Sequence, residues 1–125
     1  MDEQTVERAL VAVEAIPPGR VISYGDLAGL VGITARQAGA IMRRHGHGLP
    51  WWRVTNSYGD LPRHLTTDAA PHWAEEGIAW KPNERGCRIA AYRADLVELA
   101  RIVDRWQPPP DDDESGKILG EHATD

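Results

Sequence analysis

Between Leu27 and Gly59 the chain carries no acidic residue, yet the same window holds Arg36, Arg43, Arg44 and Arg53 together with His45 and His47. Guanidinium groups gathered without counter-charges can meet phosphate, even in a chain whose formal net charge is −5. The same four arginines could equally do no more than solvate a surface. The acid excess lies elsewhere: residues 111–125 hold six acids against the single base Lys117, which leaves 13 acids and 13 bases in residues 1–110. Covalent chemistry has few candidates. Cys87, the one cysteine, cannot form an internal disulfide and reads as a small apolar packing residue. His45-x-His47 sits on a glycine-containing loop with no thiolate or carboxylate partner at ligand spacing, so neither a metal nor a cofactor is expected.

These residues need elements to hold them. The chain has 125 residues with 42% apolar content, which suits one compact domain. Val6, Ala9, Leu10, Val13 and Ile16 share one helical face, predicting a helix over 3–15 that Pro17-Pro18-Gly19 stops. Val21-Ile22-Ser23 is a short extended piece. A second helix follows over 24–30 with Ser23 as its N-cap, and Gly32 breaks it. Thr34 caps a third helix over 35–44, whose inner face is Ala38, Ile41 and Met42. Two short helices, a glycine turn and arginines on the second helix form a helix-turn-helix pattern. Residues 53–56 read as a strand and Ser57-Tyr58-Gly59-Asp60 as a tight turn, together a candidate wing. Further helices are predicted over 67–76, capped by Thr67 or Asp68 and stopped by Gly77, and over 93–106. The expected fold is therefore mainly α with a small β wing, a winged helix-turn-helix-like single domain over 1–108. Residues 109–125 form an acidic tail with too little apolar surface to fold. No run approaches the roughly 20 apolar residues of a membrane span, and the acidic Met1-Asp2-Glu3-Gln4 start is unlike a secretory signal. A cytoplasmic monomer is the expectation, nucleoid-associated if bacterial.

Several of these stretches resemble one family. Pro18-Gly19-Arg20-Val21-Ile22-Ser23-Tyr24-Gly25-Asp26-Leu27-Ala28 is similar to the opening of the DNA-binding domain of O6-alkylguanine-DNA alkyltransferases. Thr34-Ala35-Arg36-Gln37-Ala38-Gly39-Ala40-Ile41-Met42 resembles their recognition helix. Leu49-Pro50-Trp51-Trp52-Arg53-Val54 stands where the family has Pro-Cys-His-Arg-Val, and Glu75-Glu76-Gly77 resembles its later Glu-Gly. The resemblance covers residues 5–96, with four motifs in the family's order.

In that family the cysteine accepts the alkyl group, activated by a histidine linked through water to a glutamate. Trp51 takes the cysteine's place and Trp52 the histidine's, and an indole offers one N–H donor and no nucleophile at neutral pH. Glu76 is retained with no relay to serve. The resemblance therefore implies a chain without alkyl-transfer activity. Tryptophan at the cysteine position is characteristic of the alkyltransferase-like subgroup. These proteins bind O6-alkylguanine in double-stranded DNA, flip it out and flag it for nucleotide excision repair. By the same resemblance, Tyr24 crowds the phosphate beside the lesion and Arg36 fills the vacated stack. Thr34, Gln37, Arg43 and Arg44 face the DNA. Trp51, Trp52, Arg53 and Val54 line the lesion pocket, with an inward-pointing Trp52 as the open alternative, and Arg63 or His64 sets a cation against the flipped base. General chemistry agrees: flipping costs a few kcal/mol of stacking and pairing, so a group must fill the hole and another must hold the base. A planar guanidinium suits the first role and a tryptophan face the second. The chain departs from the family in Trp52, in His45 where an asparagine is usual, in a shortened loop to Pro50 and in the acidic tail. Two other readings stay open: a winged-helix transcriptional regulator without lesion recognition, and a non-DNA interaction module. A regulator has no need of Tyr24, Arg36 and Trp51 together.

Overall fold

A computed structural model of the protein describes residues 1–109; the acidic tail, beyond its first residue, lies outside the described residues. The elements in chain order are α1 (Glu3–Ala15), β1 (Ile22–Ser23), α2 (Tyr24–Val31), α3 (Ala35–His45), β2 (Val54–Thr55), α4 (Thr66–Glu76), α5 (Ile89–Tyr92) and α6 (Leu96–Arg105). Short 3₁₀ turns occupy Trp51–Arg53 and Arg63–Leu65. The mainly helical single-domain fold with a small sheet is as expected.

Local chemistry fixes the helix pair that carries the basic window. Ser23 and Asp26 close a capping box at the start of α2: the Asp26 N–H donates to Ser23 Oγ at 2.9 Å and the Ser23 N–H to Asp26 Oδ2 at 2.9 Å. Thr34 and Gln37 repeat the device on α3 at 3.1 and 3.0 Å. Each box satisfies two backbone donors that a helix start leaves unpaired. Between them Gly32 takes φ 77°, ψ 37°, the left-handed cap that only glycine adopts without strain. Helices α2 and α3 pack together, and α1 and α6 pack on α2 behind them.

Two apolar clusters result. One joins α1, α2, α3 and α6 through Val13, Ile16, Leu27, Ile41, Leu99 and Val103. The other gathers Val21, Leu61, Ala69, Trp73, Ile78 and Cys87. Trp73 is fully buried and tilted against Trp80 with centroids 4.3 Å apart, so two of the five tryptophans supply bulk that phenylalanine, absent from the chain, would otherwise give.

Three expectations need correction. The strand is only Val54–Thr55, and it pairs in parallel with β1, Ile22 opposite Val54 and Ser23 opposite Thr55, before the tight turn folds the chain back, the Asn56 N–H donating to the Asp60 carbonyl at 2.9 Å. The turn after it is drawn onto a distant segment: the Cys87 N–H donates to the Gly59 carbonyl at 2.9 Å and the Leu61 N–H to that of Arg85 at 3.1 Å. Gly59 is required there, since a Cβ would fall 2.1 Å from the Cys87 carbonyl oxygen. Secondly, α4 begins at Thr66, and neither Thr67 nor Asp68 caps it, because the Arg63–Leu65 turn runs straight into the helix. Thirdly, the last helix starts only at Leu96 with Asp95 as its cap. Arg93 and Ala94 run alongside Val21, the Ala94 N–H donating to the Val21 carbonyl at 2.9 Å. Long-range pairing of this kind is invisible to helical spacing. Among the described residues no helix is long and apolar enough to cross a membrane.

Candidate nucleic-acid interface

A cleft of about 820 Å³ opens along one side of α3. Tyr24, at the first position of α2, lines it together with Ala35, Arg36, Gly39, Met42 and Arg43 of α3. Trp51 also lines it, with His64, Leu65 and Asp68 from the Arg63–Leu65 turn and the start of α4. Gly46 and His47 complete the end of α3. Tyr24, Arg36 and Trp51, from three separate elements, thus share one concavity.

Burial of Tyr24 raises its phenol above the ordinary value against the opposing pull of the nearby Arg43 guanidinium. It therefore stays a neutral O–H at physiological pH, able to donate to an anionic oxygen. Arg36 and Arg43 are exposed. Thr34 and Gln37 lie outside the cleft with side-chain oxygens committed to the capping box, and Arg44 is exposed outside it as well.

The Trp51–Arg53 segment is where expectation and geometry part. All three residues, with Val54, are expected from the motif to line the pocket, but only Trp51 does. A 3₁₀ turn advances about three residues per revolution, so three successive side chains leave in three directions. Trp52 goes behind Trp51, edge to face at 5.7 Å, and stacks on His72 at 3.6 Å with planes 8° apart. Its indole N–H donates to Glu76 Oε2 at 2.8 Å, and its carbonyl accepts from Trp73 Nε1 at 2.8 Å. Arg53 is directed to Glu76, donating from Nε to Oε1 at 3.0 Å and from one terminal nitrogen to Oε2 at 2.7 Å, and from the other to the Ile16 carbonyl at 2.9 Å. Val54 is 1% exposed, held in β2 against the first cluster. Of the pair Arg63 or His64, His64 lines the cleft and Arg63 is exposed beside it.

Glu76 is thus not idle. It also accepts from the Gly19 N–H at 2.9 Å, so one carboxylate ties the turn after α1, the Trp51–Arg53 turn and α4 together, and Arg53 extends the link to the end of α1 through the Ile16 carbonyl. Burial pushes its carboxyl up, and Arg53, the Gly19 N–H and the Trp52 N–H outweigh that, holding it below the ordinary 4.5. Cys87 is buried in the second cluster, and burial pushes its thiol up to about 11, which makes it a poor source of thiolate.

Asp68, His72 and Glu76 recur every fourth residue along α4, one helical face turned toward the tryptophan turn. Motif matching points to none of Asp68, His72, Leu65 and His47 as part of the site, and that fourfold spacing is the available signal for the first two. Replacing His72 by alanine removes the ring that backs Trp52 and is expected to cost about 1 kcal/mol. Chemical unfolding and tryptophan near-ultraviolet circular dichroism would report it. His72→Phe, which keeps a flat ring, should restore both; a phenylalanine variant no better than alanine would show that the stack contributes nothing.

A helix-turn-helix pair with a cleft on its basic second helix defines a DNA-binding domain as the class of this fold. A family model described as "6-O-methylguanine DNA methyltransferase, DNA binding domain" matches residues 4–78, and the chain belongs to that family. Curated relatives called DNA base-flipping protein, from Escherichia coli (strain K12) and Shigella flexneri, are 44% identical over 59 residues, covering 44% of this chain and 46% of theirs. The chain thus matches about half the length of these relatives. Among solved structures, S. pombe Atl1 in complex with damaged DNA containing O6-carboxymethylguanine is similar with a TM-score of 0.59 and 26% identity, over 86% of this chain and 99% of that one. S. pombe ATL in complex with DNA gives 0.56 and 28% over the same shares.

Proposed function

We propose that this protein recognises O6-alkylguanine in double-stranded DNA by flipping the nucleotide into the cleft beside α3, and that it does so without transferring the alkyl group. The observation that carries this reading is the convergence of Tyr24, Arg36 and Trp51 on one cavity. A flipped base needs a push on its phosphate, a plug for the gap and a surface to rest on; a phenol, a guanidinium and an indole are suited to those roles in turn. Neighbours that are called base-flipping proteins, or that hold damaged DNA, point the same way.

The non-catalytic part rests on residue chemistry. The cleft presents an indole at Trp51 where alkyl transfer requires a thiolate, and Cys87 is buried in another cluster. Glu76, the acid a cysteine–histidine relay would use, is bound up with Arg53 and Trp52. A protein that binds a lesion and leaves it in place must pass it on, and nucleotide excision repair proteins are the partners this reading requires. Arg43 and Arg44 serve as phosphate contacts, with Thr34 and Gln37 beside them offering a hydroxyl and an amide to the backbone.

The test is binding of a short duplex with one O6-methylguanine against the same duplex with guanine at fixed near-physiological salt. Preference for the lesion on the order of tenfold or more is expected, about 1.4 kcal/mol for each factor of ten, with the methyl group still on the base afterwards. Equal binding that fades with salt would make the protein a plain helix-turn-helix binder.

A further inference from the structure

The face of α4 that supports the tryptophan turn carries three polar residues at helical spacing, and two of them are satisfied. Glu76 is paired with Arg53 at 2.7 Å, and His72 is stacked on Trp52 at 3.6 Å. The third, Asp68, lies on the same stripe two turns earlier and lines the cleft together with Trp51. Among the described residues its carboxylate has no ion-pair partner within 4.0 Å and accepts no side-chain hydrogen bond; the helix in whose first turn it lies is capped at Leu65 without side-chain help. It is also the one acid lining a cleft whose other charged or titratable side chains are Tyr24, Arg36, Arg43, His47 and His64.

We propose that Asp68 makes the cleft selective by charge, admitting an O6-alkylguanine whose substituent is neutral and disfavouring one whose substituent is anionic. The inference rests on the reading that the cleft receives a flipped O6-alkylguanine. Its physical basis is direct. A flipped base shuts part of the cleft from water, and a second carboxylate brought into the cavity that Asp68 lines is repelled by it more than it would be in bulk solvent, which offsets the attraction of Arg36 and Arg43 in the same cleft. A methyl group meets no such repulsion and gains apolar contact with Trp51, Met42 and Leu65.

The experiment compares three duplexes of one sequence, bearing guanine, O6-methylguanine or O6-carboxymethylguanine, at one salt concentration. The proteins are the full chain, Asp68→Asn and Asp68→Glu. Asp68 is exposed and asparagine has its shape, so the fold should survive, and circular dichroism verifies it. Repulsion between Asp68 and the DNA phosphates is common to all three duplexes and cancels in the ratio of the two lesion affinities. We expect the full chain to favour the methyl over the carboxymethyl lesion by on the order of tenfold. Asp68→Asn should bring that ratio close to one, and Asp68→Glu should keep most of it. A ratio unchanged by Asp68→Asn overturns the proposal, as does equal binding of both lesions by the full chain. Parallel weakening of both lesions in Asp68→Asn overturns it too, because Asp68 would then be holding the base they share. A full chain that binds O6-methylguanine no better than guanine sinks the lesion reading itself, and this inference with it.

Discussion

Replacing Glu76 by alanine is expected to destabilise the protein by about 3–5 kcal/mol, the usual cost of removing one partner from a buried ion pair. The pair qualifies, with Arg53 and Glu76 side chains only 12% and 9% exposed. The loss would leave a guanidinium without its carboxylate and leave the Trp52 and Gly19 N–H groups unpaired, each of which adds to the cost. Urea unfolding with an unchanged slope is the measurement. Glu76→Gln keeps the shape and some acceptor capacity and should fall between the two. The same carboxylate sets a pH dependence. Its folded-state pKa is lowered, so the unfolded chain holds the proton more tightly in acid. The stabilisation is therefore complete above the ordinary value of 4.5 and is lost as pH falls from there through the lowered folded value. Glu76→Gln should lack this component of the acid profile. A pH profile identical in the variant and the parent would assign the acid sensitivity to other groups.

Arg36→Ala should abolish most of the lesion preference, lowering affinity for O6-methylguanine DNA by about a hundredfold, near 2.7 kcal/mol, and affinity for undamaged DNA only a few-fold. The asymmetry has a simple origin, since a plug for a vacated stack contributes only when a nucleotide has left it. Arg44 provides the comparison. It lies on the same helix but outside the cleft, so Arg44→Ala should weaken both duplexes alike and reduce the salt slope by about one. Arg43 lines the cleft close to Tyr24 and is expected to fall between them. If Arg36→Ala and Arg44→Ala behaved alike on both duplexes, Arg36 would be a phosphate contact and the plug would have to be sought elsewhere.

Much of the helix pair is legible in the sequence because its signals are local. Ser23 with Asp26, and Thr34 with Gln37, announce helix starts within four residues, and Gly32 marks the turn between them. The Trp51-Trp52-Arg53 run is not legible in the same way. As a motif it leaves the direction of Trp52 open and says nothing of Arg53's partner, and the 3₁₀ turn, set by the Arg53 N–H donating to the Pro50 carbonyl at 3.0 Å, sends the three side chains apart. Glu76 can be matched by position, but its new work depends on Gly19, 57 residues away in the chain. The second strand is visible as an extended run, whereas its parallel partner is not, since pairing in a two-residue sheet depends on where β1 is held by the helices around it.

What this amino-acid sequence determines by itself is the family and the chemical vocabulary. Capping residues, glycine breaks and helical apolar spacing define the helix pair, and position 51 carries an indole, which is no nucleophile at neutral pH. Tertiary structure alone decides which of the candidate residues share a cavity. Tyr24, Arg36 and Trp51 come together there, with His64 and Asp68, while Trp52, Arg53 and Val54 are turned into the protein. The physical reason is that a buried N–H or guanidinium must find an acceptor, and once Glu76 supplies it to both Trp52 and Arg53, Trp51 is the residue of that turn left to face the cleft.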